Sequence, residues 1–96
     1  MSVYMIGLIQ IEDRTEYEVY RQGFSQVFEK YAGEPLVVDE EPTVLEGSWP
    51  CTRTVVIRFP DEQEARRWYE SDEYRTLAQH RFKAAKTNLI LAKGRA

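Results

Sequence analysis

Near the start of the chain the run Val3-Tyr4-Met5-Ile6-Gly7-Leu8-Ile9-Gln10-Ile11 is apolar at almost every position. Nine residues rich in isoleucine and valine read as a strand with both faces covered. Alternation along a strand separates Val3, Met5, Gly7, Ile9 and Ile11 from Tyr4, Ile6, Leu8 and Gln10, and neither set is water-loving. Whatever the rest of the chain builds, something has to shelter two sides of this segment.

Glu12-Asp13-Arg14-Thr15 breaks the run, and Asp13 or Thr15 is placed to accept the first free amides of a helix. Tyr17, Tyr20, Phe24, Val27, Phe28 and Tyr31 then recur in steps of three and four, one stripe of an amphipathic helix. Gly23 weakens that helix by about 1 kcal/mol relative to alanine, and Gly33 is placed as the left-handed residue that ends it. Two short extended pieces follow, Pro35-Leu36-Val37-Val38 and Thr43-Val44-Leu45-Glu46, a small arm around 36–46. Arg53-Thr54-Val55-Val56-Ile57-Arg58-Phe59 is a β-branched strand, and Asp61 with Glu64 has capping-box spacing. The next helix buries Ala65, Trp68 and Tyr69. Ser71 with Asp72 and Glu73 makes a fresh start, so a break is expected at 70–72. Tyr74, Leu77, Ala78, Phe82 and Ala85 form the stripe of the second piece, and Thr87–Lys93 is the last strand.

The order β-α-β-β-α-β, in one domain over residues 1–96, fits a ferredoxin-like α+β fold. Right-handed crossovers put both helices on one side of a four-stranded antiparallel sheet. The other side then carries Tyr4, Ile6, Leu8, Val56, Ile90 and Ala92, an apolar surface that monomers seldom leave uncovered. A second copy packing sheet to sheet is the simplest cover, so a homodimer is expected. Gln10, Arg58 and Asn88, if between the sheets, would make a mixed cavity suited to a ligand.

Thirteen Lys and Arg against sixteen Asp and Glu give −3, which argues against a nucleic-acid partner. The basic residues cluster: positions 74–96 hold Arg75, Arg81, Lys83, Lys86, Lys93 and Arg95 and no acid. That asymmetry favours an anionic ligand, or a partner's acidic Asp39-Glu40-Glu41. No apolar stretch is long enough to span a bilayer, and no secretory leader is expected. The single cysteine, Cys51, builds no internal disulfide or zinc site, and a cytoplasmic setting follows. No phosphate loop, Cys/His cluster, serine elbow or dinucleotide fingerprint occurs, so no cofactor is expected.

Several pieces recur in one order: Tyr20; Tyr31-Ala32-Gly33; Leu45-Glu46-Gly47; Arg53 through Phe59; Ala65, Trp68-Tyr69, Ser71, Tyr74 and Arg81; and a strand ending at Gly94. In these the chain resembles the small bacterial proteins catalogued as domain of unknown function 1330, within the dimeric α/β-barrel superfamily. The likeness runs from about Tyr4 to Gly94, with Ala32 standing where the family has the first of two glycines. It implies a ferredoxin-like subunit that pairs through its sheet. It supplies no established reaction, although the wider superfamily includes haem-degrading monooxygenases and muconolactone isomerases.

Arg81 and Glu46 lie in matched pieces. An arginine beside an aromatic stripe can hold a carboxylate through parallel hydrogen bonds, or simply pair with an acid of its own chain, Glu46 included. Glu46 would accept a proton if burial raised its pKa, or else only shape a turn. Trp68 and Tyr74 are read as pocket walls, although at helical spacing such residues more often belong to a core. His80, the sole histidine, is read as a solvated helix position, and Cys51 as inert. The leading expectation is a homodimer binding a small organic, possibly anionic, molecule between sheet and helices or at the dimer seam. A cofactor-free monooxygenase or isomerase, and a structural or regulatory dimer without ligand, are the alternatives.

Overall fold

The computed structural model describes residues 1–50 and 52–95. Its elements run β1 (Val3–Ile11), α1 (Arg14–Phe28), β2 (Glu34–Asp39), β3 (Arg53–Phe59), α2 (Glu62–Tyr69), α3 (Asp72–Ala84) and β4 (Ala85–Lys93). The strands form one antiparallel sheet in the order β2-β3-β1-β4. This is the ferredoxin-like arrangement, with the long apolar β1 in the middle, where both neighbours shield it. Asp13, Asp61 and Ser71 cap the three helices through their side-chain oxygens, which fixes the break after Tyr69 that the polar run at 71–73 predicts.

Alternation decides the two faces. Val3, Met5 and Ile9 of β1 join Ile57 and Phe59 of β3 in one core cluster with the helices. Trp68 is its centre, with its ring 4.3 Å from Tyr74, 5.4 Å from Phe28 and 5.6 Å from Phe59. Each such ring pair contributes about 0.5–1.5 kcal/mol beyond area burial. On the opposite face Ile6 lies between Val56 and Ile90, Leu8 between Thr54 and Asn88, and Tyr4 between Arg58 and Ala92. Ile90 is 57% exposed there. Gln10, Arg58 and Asn88 share this outer face, as their parity requires.

Four local expectations are corrected. Helix α1 ends at Phe28, and Gly33 is not left-handed; among the described glycines only Gly47 has a positive φ, 77°. Gly33 is needed for space instead: a Cβ there would collide with Phe28 Cζ and stand 2.8 Å from Phe59 Cε1. Gly23 likewise lets α3 approach, since a Cβ would meet Leu77 Cδ1 at 2.7 Å. Thr43–Glu46 forms no strand, so the arm reduces to β2 and an irregular loop. The stripe of α3 is rotated from the one read in the sequence: Tyr74, Ala78, Arg81 and Ala84 are buried, while Phe82 is 55% exposed. The four follow steps of four, three and three, and the arginine takes the inward place assigned to phenylalanine. Tyr69 is also more exposed than expected. Cys51 lies outside the described residues.

Candidate ligand-binding site

Between the sheet and the helices lies a cavity of about 380 Å3. Met5, Gly7 and Ile9 of β1 with Val55 and Ile57 of β3 make its floor. Gly7 contributes no side chain, and the bare backbone at the middle of the sheet leaves room above it. Tyr17, Tyr20 and Phe24 of α1, Trp68 of α2, and Tyr74 and Arg81 of α3 supply the aromatic and basic walls. Exposed Arg21 and Ser25 of α1 and Pro35 and Val38 of β2 place its opening between α1 and the β2 edge.

Three of the four predicted site residues, Arg81, Trp68 and Tyr74, therefore share one cavity. Glu46 does not. It sits exposed on the loop after β2, with no hydrogen bond or ion pair among the described residues, and is absent from the cavity lining. Neither its pairing with Arg81 nor its burial as a proton acceptor is realised in this chain, because the loop carries it outward beside Leu45, itself 90% exposed.

Arg81 is the most unusual group in the molecule: a guanidinium 3% exposed, with no carboxylate in ion-pair range among the described residues. Its Cζ stands 5.7 Å from the Tyr20 ring centroid and 5.0 Å from that of Phe82, and its Nη2 has no hydrogen-bond partner. Burial is the largest influence on its pKa and works against the charge. The Tyr74 and Tyr20 oxygens around it outweigh burial, so the net shift is upward and Arg81 remains a cation. Tyr20 and Tyr74 hydrogen-bond each other at 2.7 Å. Burial drives both phenols to pKa values above the ordinary range, Tyr20 well above it, so they stay protonated.

The polar atoms left unpaired have a pattern. Among the described residues the buried side-chain atoms without a partner are Arg53 Nε, Trp68 Nε1, Arg81 Nη2 and Thr87 Oγ1. The first three belong to residues on this cavity, and all three are donors. Thr87 lies on an adjoining recess that shares Arg81 and Leu89 with the cavity. A buried donor left unmet costs about 1–3 kcal/mol, so three around one space point to acceptors supplied from outside the chain.

Sequence reasoning passed over Arg53, although the signal was present. It shares parity with Val55, Ile57 and Phe59, and it pairs with Ile9, which places it on the helix-covered face. Its Nη1 bonds Glu40 at 2.8 Å, and Glu40 also takes Arg14 at 2.9 Å. Arg14, with Arg53 beside it, holds the Glu40 carboxyl below the usual carboxylate range. The acidic segment 39–41 thus spends Glu40 within its own chain. His80 is not simply solvated: its Nδ1 meets Glu16 Oε2 at 2.5 Å and ties α3 to α1, away from the cavity lining.

The family model described as "Domain of unknown function (DUF1330)" matches residues 2–95. The chain belongs to the DUF1330 family. Among solved structures, this DUF1330 member is similar to a protein of unknown function from Rhodopseudomonas palustris. That pair shares 18% identity and a TM-score of 0.81, over 99% of this chain and 83% of that one. It is also similar to SnoaB, a cofactor-independent oxygenase from Streptomyces nogalater. There the identity is 11% and the TM-score 0.72, over 99% of this chain and 94% of that one. At such identities the likeness establishes the fold, a ferredoxin-like α+β subunit, and leaves the chemistry to the site. Among curated proteins, none matches the chain.

Proposed function

We propose that this DUF1330 protein binds a small organic molecule carrying negative charge in the cavity between sheet and helices, and does so as a homodimer. The observation that carries the reading is Arg81, a buried cation without a counter-ion among the described residues, on the wall of an aromatic cavity. An isolated buried charge is costly, and a ligand that brings the missing anion removes that cost. Arg81 orients the negative group, and Trp68 and Tyr74 wall the body of the molecule. At interior packing density a space of about 380 Å3 accommodates about 10–15 non-hydrogen atoms.

Pairing is supported by the outer face, where Ile6, Leu8, Val56 and Ile90 form one apolar patch that the helices do not reach. The alternative of cofactor-free oxygenation or isomerisation asks for a base beside the substrate. The described lining residues include no carboxylate and no imidazole, and burial keeps the three lining tyrosines, Tyr17, Tyr20 and Tyr74, protonated, which favours binding over proton abstraction.

The test uses Trp49→Phe, which leaves Trp68 as the only tryptophan and makes the cavity wall report on itself. Saturable quenching of that fluorescence by small aromatic acids, at one site per chain, is expected. Unchanged emission across such a panel, with the fold intact, would remove the binding reading. Sedimentation at micromolar concentration should show a two-chain species; a lone 11.3 kDa species removes the pairing.

A further inference from the structure

Resting on the ligand-binding reading above, the charge count inside the cavity goes further and specifies the ligand. Three guanidinium groups stand on its walls, those of Arg21, Arg53 and Arg81. Arg21 is matched by Glu18 at 2.6 Å and Arg53 by Glu40 at 2.8 Å. Only Arg81 is unmatched among the described residues. The cavity therefore holds one positive charge in excess. A second anionic group on a ligand would meet an arginine already neutralised, or the faces of Tyr17, Tyr20 and Phe24, and would lose its hydration for no compensating cation.

The donors define the shape of the anionic head. Arg81 and Trp68 both line the cavity, each has a buried donor without a partner among the described residues, Nη2 and Nε1, and Tyr74 lies against both residues. A carboxylate has two oxygens in one plane and can give one to each donor, whereas a single hydroxyl or amide oxygen satisfies one and leaves the other orphaned. Behind the head the walls are rings. Tyr17 and Tyr20 have centroids 5.4 Å apart, and Trp68 and Tyr74 4.3 Å apart. Such walls suit a flat, unsaturated body at offset or edge-on packing.

We infer that the ligand is an aromatic monocarboxylate, its carboxylate shared between the Arg81 guanidinium and the Trp68 indole N–H and its ring body lying over Gly7. No bond is made or broken in this assignment; it concerns recognition alone.

The experiment titrates Trp49→Phe protein with three probes of one shape: 2-naphthoate, its neutral amide 2-naphthamide, and the dianion naphthalene-2,6-dicarboxylate. The monoanion is expected to bind at least tenfold more tightly than the amide and more tightly than the dianion. In an Arg81→Met background the preference for acid over amide should vanish while the amide still binds, which separates loss of the cation from loss of the fold. Equal binding of acid and amide to the parent protein would overturn the monocarboxylate assignment and leave the cavity reading standing. Tighter binding of the dianion would overturn the single-charge argument. Absence of binding by all three, with near-ultraviolet dichroism native, would sink the inference and the cavity reading together.

Discussion

Replacing Arg81 with methionine should stabilise the unliganded protein. The guanidinium is 3% exposed, lacks a carboxylate among the described residues, and leaves Nη2 without an acceptor. Removing an unmet buried donor returns about 1–3 kcal/mol, and the relieved desolvation of the charge adds to it. Against this stand two ring contacts, with Tyr20 at 5.7 Å and Phe82 at 5.0 Å, and the attraction of the Tyr74 oxygen for the guanidinium. Together they contribute about 1–2 kcal/mol, the Phe82 contact less because that ring is half in solvent. Tyr74 keeps its bond to Tyr20, so the change orphans no phenol. Methionine is flexible enough to fill the vacated space. The balance favours the variant by about 1 kcal/mol, which for a domain of this size is a rise in Tm of about 4–8 °C. Thermal unfolding followed by circular dichroism, without ligand, measures it. With a bound acid at a hundredfold excess over the parent's Kd the order should invert, because the parent gains roughly 2.7 kcal/mol of ligand linkage and the variant, binding about tenfold more weakly, only about 1.4 kcal/mol. A variant that melts several degrees lower without ligand would mean that Arg81 is satisfied within its own chain, and the case for a missing anion would fail.

Two glycines that look alike in sequence should behave differently. Gly33→Ala forces a Cβ into the Phe28 and Phe59 rings and should cost at least about 1–3 kcal/mol in chemical denaturation. Gly23→Ala meets only the tip of Leu77, which can turn away, and gains about 1 kcal/mol of helix propensity, so its midpoint should stay within about 1 kcal/mol of the parent. Glu40→Gln should weaken the protein at neutral pH and flatten the acid limb of its stability profile. Glu40's pKa is depressed by Arg14 and Arg53, so its contribution is full above the ordinary glutamate range and lost as pH falls through the depressed value. An unchanged profile from pH 7 to 3 would show that this exposed clasp contributes nothing measurable.

Much of the fold was legible because period-two and period-three-to-four patterns are strong where one face is buried. The limits of β1 and β3, the caps at Asp13, Asp61 and Ser71, and the break before α3 follow from side-chain chemistry within a few residues. The site was legible by halves. Arg81 and Tyr74 lie seven residues apart, hence on one side of a helix, and Trp68 faces the same core. Phe82 was misplaced because hydrophobicity alone prefers a ring to a guanidinium inside; only a cavity needing charge reverses that choice. Glu46 was misplaced because a turn motif fixes local geometry and says nothing about which way the thirteen-residue connection between β2 and β3 leans. The use of Gly33 was hidden for a related reason: the two rings it admits come from positions 28 and 59, and the second contact exists only once the chain has folded.

Helix α3 ends at Ala84 and β4 begins at Ala85, with no linker between them. The rotational phase of the helix is thereby geared to the parity of the strand. Arg81 turned toward the cavity sets Leu89 inward and Ile90 outward, so the same junction aligns the ligand-facing cation and the centre of the apolar outer patch. One residue spliced between Ala84 and Ala85 would invert every β4 side chain, exchanging cavity wall for outer surface while leaving the composition nearly untouched.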